Sequence, residues 1–92
     1  MKQARFPLGR IVATPAALAA LTAAGDSPAG FLARHVSGDW GDCCADDWQE
    51  NELSLEQGFR LFSVYRAENG IKFWVITEAD RSATTVLLPD EY

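Results

Sequence analysis

Three runs of β-branched and aromatic residues fill the last third of this chain, with short turn sequences between them: Phe59 to Arg66, Ile71 to Glu78, and Ala83 to Leu88. Glu68-Asn69-Gly70 separates the first two, and Asn-Gly between hydrophobic runs is a strong short-range hairpin signal. Ala79-Asp80-Arg81-Ser82 turns the chain again, and Pro89 ends the third run. This punctuation predicts an antiparallel meander with an apolar face to cover. The run 71–78 is apolar at both parities, with Trp74 and Ile76 on one side and Ile71, Phe73 and Val75 on the other. It is therefore expected to be central and covered on both faces, or to turn its outer face to a partner.

The residues before the meander read as the cover. Thr14-Pro15 is a helix N-cap followed by proline at the first helical position, and Ala16 to Ala24 is a run of strong helix formers ended by Gly25. Leu18 and Leu21 mark the expected buried stripe. Asp26-Ser27-Pro28 repeats the cap signal, and Phe31, Leu32 and Val36 fit one face of a helix over 28–36. Arg34 and His35 stand near its end, where positive charge suits the helix dipole. Ser37 to Asp42 is a glycine-rich turn carrying Trp40. A third helix is expected over 43–57, stopped by Gly58, with Trp48, Leu53 and Leu55 as its apolar residues.

Helices followed by strands predict an α+β fold: two or three N-terminal helices packed on a three- or four-stranded antiparallel β-meander. Ile11-Val12, within an extended segment that Pro7 and Gly9 keep from helix, supplies the fourth strand at 10–13. The expected core is Leu18, Leu21, Phe31, Leu32, Trp40, Trp48, Leu61, Phe73, Val75, Val86 and Leu88.

Size and charge narrow the function classes. At 92 residues the chain is expected to form one domain. Eight Lys and Arg against thirteen Asp and Glu leave a net charge of −5, which argues against general nucleic-acid binding. No apolar run approaches the length of a membrane span, and no h-region follows Met-Lys-Gln-Ala-Arg, so a cytoplasmic protein is expected. Cys43 and Cys44 are adjacent, a spacing that disfavours a disulfide and matches no metal site. No cofactor or metal is implied.

No catalytic motif is present, so candidate sites rest on local constellations. Arg34 to Gly41 reads either as a helix end with a core-plugging Trp40 or as a site loop in which His35 is the acid or base and Asp39 orients it. Thr77 to Thr85 reads either as a charged turn or as an anion site built from Arg81 with Thr84 or Thr85. Arg60 and Arg66, alike in strand parity, extend that site if it lies on their face, while Ser63 and Tyr65 share the other face. Seven acids, Asp39, Asp42, Asp46, Asp47, Glu50, Glu52 and Glu56, stand between residues 39 and 57 with no Lys or Arg. This segment reads as a solvated face or as a surface for a basic partner. Trp40 is expected to be buried, its indole N–H on a carbonyl or carboxylate, with Asp39 near the surface and held by backbone amides of its own turn or by Arg34 or His35.

Phe6-Pro7-Leu8-Gly9, Ile11 to Pro15, Arg34 to Gly41, Asn51-Glu52 and Trp74 to Tyr92 together resemble a family of small bacterial proteins met mainly on plasmids and integrated mobile elements, labelled plasmid-related or restriction-subunit-like. The resemblance covers nearly the whole chain and implies a mobile-element setting rather than a mechanism. A weaker likeness is to the fold shared by barnase, EndoU-type nucleases and related toxins. It implies His35, Arg60, Arg81, Thr84 and Tyr65 as RNA-cleaving residues, although the chain has one histidine and an acidic balance.

The expectation is a non-enzymatic interaction protein that binds a host or element protein, in the manner of anti-restriction or anti-CRISPR accessory proteins. Asp39, Trp40, Asp46, Asp47 and Glu50 are its candidate binding residues. The alternative is a small RNase or other phosphoryl-transfer enzyme using the His/Arg/Thr cluster.

Overall fold

The computed structural model of the protein describes residues 3–92; Met1 and Lys2, the start of the Met-Lys-Gln-Ala-Arg stretch in which no secretory leader is expected, lie outside them. Strand β1 (Arg10–Ala13) is followed by helices α1 (Pro15–Ala23), α2 (Pro28–Val36) and α3 (Ala45–Gln57). Strands β2 (Leu61–Arg66), β3 (Lys72–Thr77) and β4 (Ala83–Leu87) come next, and a short 3₁₀ turn, Pro89–Glu91, closes the chain.

The local signals act as the residue chemistry requires. Thr14 caps α1 by accepting from the Ala17 amide at 3.1 Å, with Pro15 at the first helical position. Gly58 ends α3 with φ of 76°, a left-handed conformation that costs glycine little. The β2–β3 hairpin closes through Gly70 N to Ala67 O at 2.9 Å and Ala67 N to Ile71 O at 3.0 Å.

The sheet order is β1-β4-β3-β2. Strands β2, β3 and β4 form the expected antiparallel meander, with Val75 opposite both Ser63 and Val86. The sheet as a whole is mixed, which corrects the expectation of an entirely antiparallel one: β1 runs parallel to β4, Arg10 beside Ala83 and Ala13 beside Val86. Hydrophobic alternation fixes which side chains face inward and carries no information about strand direction. Nor do all helical turns precede the strands, because Pro89–Glu91 follows β4. Strand β3 is interior, as its apolar character at both parities requires.

Ala17, Leu21, Phe31 and Leu32 of the first two helices pack with Tyr65, Phe73, Val75 and Val86 of the sheet. Trp40, Phe6 and Leu61 form a second, smaller cluster. Two expected core residues are corrected. Leu18 is 44% exposed because α1 turns Ala17 and Leu21, four apart, toward the sheet. Trp48 is 36% exposed because α3 buries Asn51 and Ser54 instead. For Asn51 the cause is plain: α3 lies along the outer edge of β2, and Asn51 bonds both backbone groups of Phe62. Leu88 is half-buried against the main cluster. Phe59 lies ahead of β2 and is exposed.

Candidate functional site

His35 sits on the stripe of α2 that faces the sheet, one turn after Phe31, and is fully buried. Its Nδ1 lies 2.6 Å from Ser63 Oγ and its Nε2 lies 2.9 Å from Thr77 Oγ1. Thr77 Oγ1 is 2.7 Å from Thr84 Oγ1, which lies 2.7 Å from the Leu8 carbonyl. All three hydroxyl residues are fully buried.

The far end of this string fixes the direction of each bond as far as His35 Nε2. A carbonyl only accepts, so Thr84 donates to Leu8 O. Thr84 has one hydrogen, so Thr77 donates to Thr84. Thr77 must then accept from His35, which puts a proton on Nε2; in the neutral ring that burial favours, Nδ1 is left to accept from Ser63. Burial, helped by the charge of Arg81, lowers the His35 pKa from 6.5 to about 4. The dipole-facing cation expected at this helix end is therefore Arg34 alone.

The reading in which Asp39 orients His35 is corrected, because both ring nitrogens are engaged elsewhere; the other expected partners, Arg34 and an amide of its own turn, are both found. Asp39 instead pairs with Arg34, Nε to Oδ2 at 2.8 Å, and accepts from the Gly41 amide at 3.1 Å. The pairing raises the Arg34 pKa. The Arg34 guanidinium lies 4.6 Å from the centre of the Tyr65 ring, and the Tyr65 hydroxyl donates to the Asp39 carbonyl at 2.6 Å. Burial pushes the Tyr65 pKa up.

Trp40 is fully buried in this loop, and its indole N–H donates to Glu52 at 2.8 Å. Arg5 grips the same carboxylate with two nitrogens, at 3.0 and 3.1 Å. Arg5 first, and Trp40 second, hold the Glu52 carboxyl below its usual range.

Arg81 is committed to backbone. Its Nη1 donates to Phe59 O at 2.7 Å and to Glu78 O and Ala79 O at 3.2 Å, and its Nη2 donates to Ser54 O at 3.0 Å. These bonds join the end of α3, the start of β2 and the β3–β4 turn. Arg60 lies on the outer side of the sheet, bonded to the Tyr92 hydroxyl at 2.6 Å and 3.6 Å from Glu78. The structure thus links His35 to Thr84 through Thr77 inside the core. It places Arg60 apart and gives Arg81 and Tyr65 their own backbone acceptors.

On α3, Asp46, Asp47, Glu50 and Glu56 are exposed and make no ion pair among the described residues. Asp46, Gln49, Glu50 and Leu53 line a shallow depression on that helix. Burial raises the Cys43 thiol to about 11. Among the described residues no group of three or more His, Cys, Asp or Glu is placed to hold a metal, and no helix is long and apolar enough to cross a membrane.

Sequence reasoning missed Ser63 and Thr77 as partners of His35, and gave Asn51 and Arg5 no role of their own. One signal was present: Ser63, Thr77 and Thr84 all fall on the parity of Leu61, Tyr65, Phe73, Val75 and Val86, so three hydroxyls occupy an otherwise apolar face. Compared with family models, curated proteins and solved structures, the chain matches none.

Proposed function

We propose that this chain is a non-enzymatic interaction protein of a plasmid or mobile element, which binds a basic surface on a host or element protein that handles nucleic acid. The observation that carries the reading is the outer face of α3. Asp46, Glu50 and Glu56 are exposed there with no cationic partner among the described residues, and a shallow depression lined partly by Leu53 lies between Asp46 and Glu50. Asp46 suits the helix N-terminus, but Asp46 and Glu50, four apart, repel each other slightly, and such a face is suited to meeting a basic partner. The mobile-element setting rests on the family resemblance of the sequence.

The nuclease alternative draws no support from the geometry. A general acid or base must reach its substrate, and His35 has neither exposure nor a spare nitrogen.

The test is capture from the natural host with tagged wild-type chain and with a charge-swapped chain carrying Asp46→Lys, Glu50→Lys and Glu56→Lys. A single partner identified by mass spectrometry, retained by the wild type and lost by the folded variant, is the expected result. Equal recovery by both chains overturns the reading.

A further inference from the structure

We infer that the outer edge of β1 is a pairing edge, at which a second copy of this chain adds its own β1 antiparallel about a two-fold axis at Val12. The inference goes beyond the α3 reading and uses a different surface.

The two edges of the sheet are built differently. On the β2 edge, Asn51 accepts from Phe62 N and donates to Phe62 O. Val64 N donates to Trp40 O at 3.1 Å, and Asp42 N donates to Val64 O at 2.7 Å. Every outward backbone group of Phe62 and Val64 is thereby occupied, and no strand can add there.

The β1 edge has no such closure. Arg10 N donates to Ser82 O at 2.9 Å and Thr14 N to Val86 O at 3.1 Å, so the parallel ladder turns the amides of Arg10, Val12 and Thr14 toward β4. Ile11 and Ala13 then direct their N–H and C=O groups away from the sheet. No hydrogen bond from the described residues reaches these groups. The side chains beside them are apolar and uncovered, Ile11 at 54% exposure and Val12 at 39%. Edge strands of this kind are templates for strand addition.

The register selects a second copy as the occupant. With the axis at Val12, Ile11 of each chain stands opposite Ala13 of the other. Both are outward-facing, so the two pairs exchange four N–H to O=C bonds and leave none of these groups unmatched. Val12 meets Val12 across the axis.

Charge agrees with this register. Arg10 has no ion pair in its own chain among the described residues. It falls opposite Thr14 of the second copy, and Thr14 Oγ1 donates at 2.7 Å to Glu91, an exposed carboxylate that likewise has no cationic partner among the described residues. Two-fold symmetry brings Arg10 to Glu91 twice and keeps the two arginines apart. The shared edge is short, so the association is expected to be weak and reversible.

Sedimentation equilibrium on the full chain, over a concentration series, tests this. The wild type is expected to rise from one to two chain masses. Ile11→Pro removes only an outward N–H and is expected to hold the chain at one mass with an unchanged circular dichroism spectrum. Val12→Lys sets like charges against each other at the axis and is expected to do the same, and it decides the matter if Ile11→Pro does not fold. Arg10→Glu is expected to weaken the dimer severalfold, and adding Glu91→Arg to restore it. The α3 charge-swapped chain is expected to dimerise as the wild type does, which separates this inference from the functional reading. A wild type that stays at one mass up to about 1 mM, leaving the edge to an extended peptide of another protein, overturns the inference. So does a dimer that persists in folded Val12→Lys.

Discussion

Asn51 holds both backbone groups of Phe62: its Oδ1 accepts from the Phe62 amide at 2.9 Å and its Nδ2 donates to the Phe62 carbonyl at 2.5 Å. One carboxamide thus stands in for the strand that β2 lacks on its outer side. Asn51→Ala strands a donor and an acceptor where Asn51 is 97% buried from solvent, since only 3% of it is exposed. The expected loss is about 2–4 kcal/mol, measured by urea unfolding. Asn51→Asp keeps only the acceptor and is expected to recover part of that loss at most.

Trp40→Ala empties a fully buried site and removes the donor to Glu52. A loss of about 3–5 kcal/mol is expected in a thermal or chemical melt, enough to unfold so small a chain. Trp40→Phe keeps a ring in the cluster with Phe6 and Leu61 but loses the N–H, and is expected to cost about 1–2 kcal/mol. An unchanged melting temperature for Trp40→Ala would show that the indole contributes nothing to the core.

The fold should weaken in mild acid through His35. Its folded pKa of about 4 lies below the ordinary 6.5, so between those values the unfolded chain binds a proton that the folded chain refuses. Stability from this residue is complete above about pH 6.5 and drains away as pH falls toward 4, by about 3 kcal/mol in all. His35→Gln is expected to flatten the stability profile between pH 6.5 and 5, above the range where most carboxylates titrate. Imidazole NMR shifts that moved with a midpoint near 6.5 would contradict the burial argument.

Arg81 is the only described residue other than glycine with positive φ, at 61°. Arg81→Ala loses the bonds to four carbonyls and keeps the backbone strain, at an expected cost of about 2–3 kcal/mol. Arg81→Gly loses the same bonds and relieves the strain, so it should be more stable than Arg81→Ala by up to about 1 kcal/mol. The reverse order in denaturant midpoints would show that the φ carries no strain.

Local punctuation in the sequence was informative because it acts over a few residues. Thr14-Pro15, Gly58 and Asn69-Gly70 each set a backbone angle or satisfy a nearby amide, and the structure has a boundary or turn at each. The parallel pairing of Arg10 with Ala83 joins residues more than seventy positions apart, and nothing in either stretch encodes direction. The burial of α3 was misread for a related reason. Unpaired backbone at the edge of β2 draws Asn51 inward to Phe62, with Ser54 on the same stripe, and Trp48 stays outside. His35 looked like chemistry because a lone histidine near an acid suggests it. Its i, i+4 relation to Phe31 and the three hydroxyls at inward parity told of a buried polar string instead.

The closed side of β2 also limits how far the sheet can grow. A sheet with two open sides can be lengthened without end, each newcomer offering a fresh template to the next. Here one side is finished by Asn51 and the 40–42 loop, so whatever strand settles beside β1, growth cannot proceed in the other direction. Two chains joined through β1 would turn to the solvent two β2 strands whose Phe62 and Val64 backbone groups are already occupied. Against runaway fibre formation through the intact sheet, the occupied backbone of β2 is a barrier of topology rather than of charge.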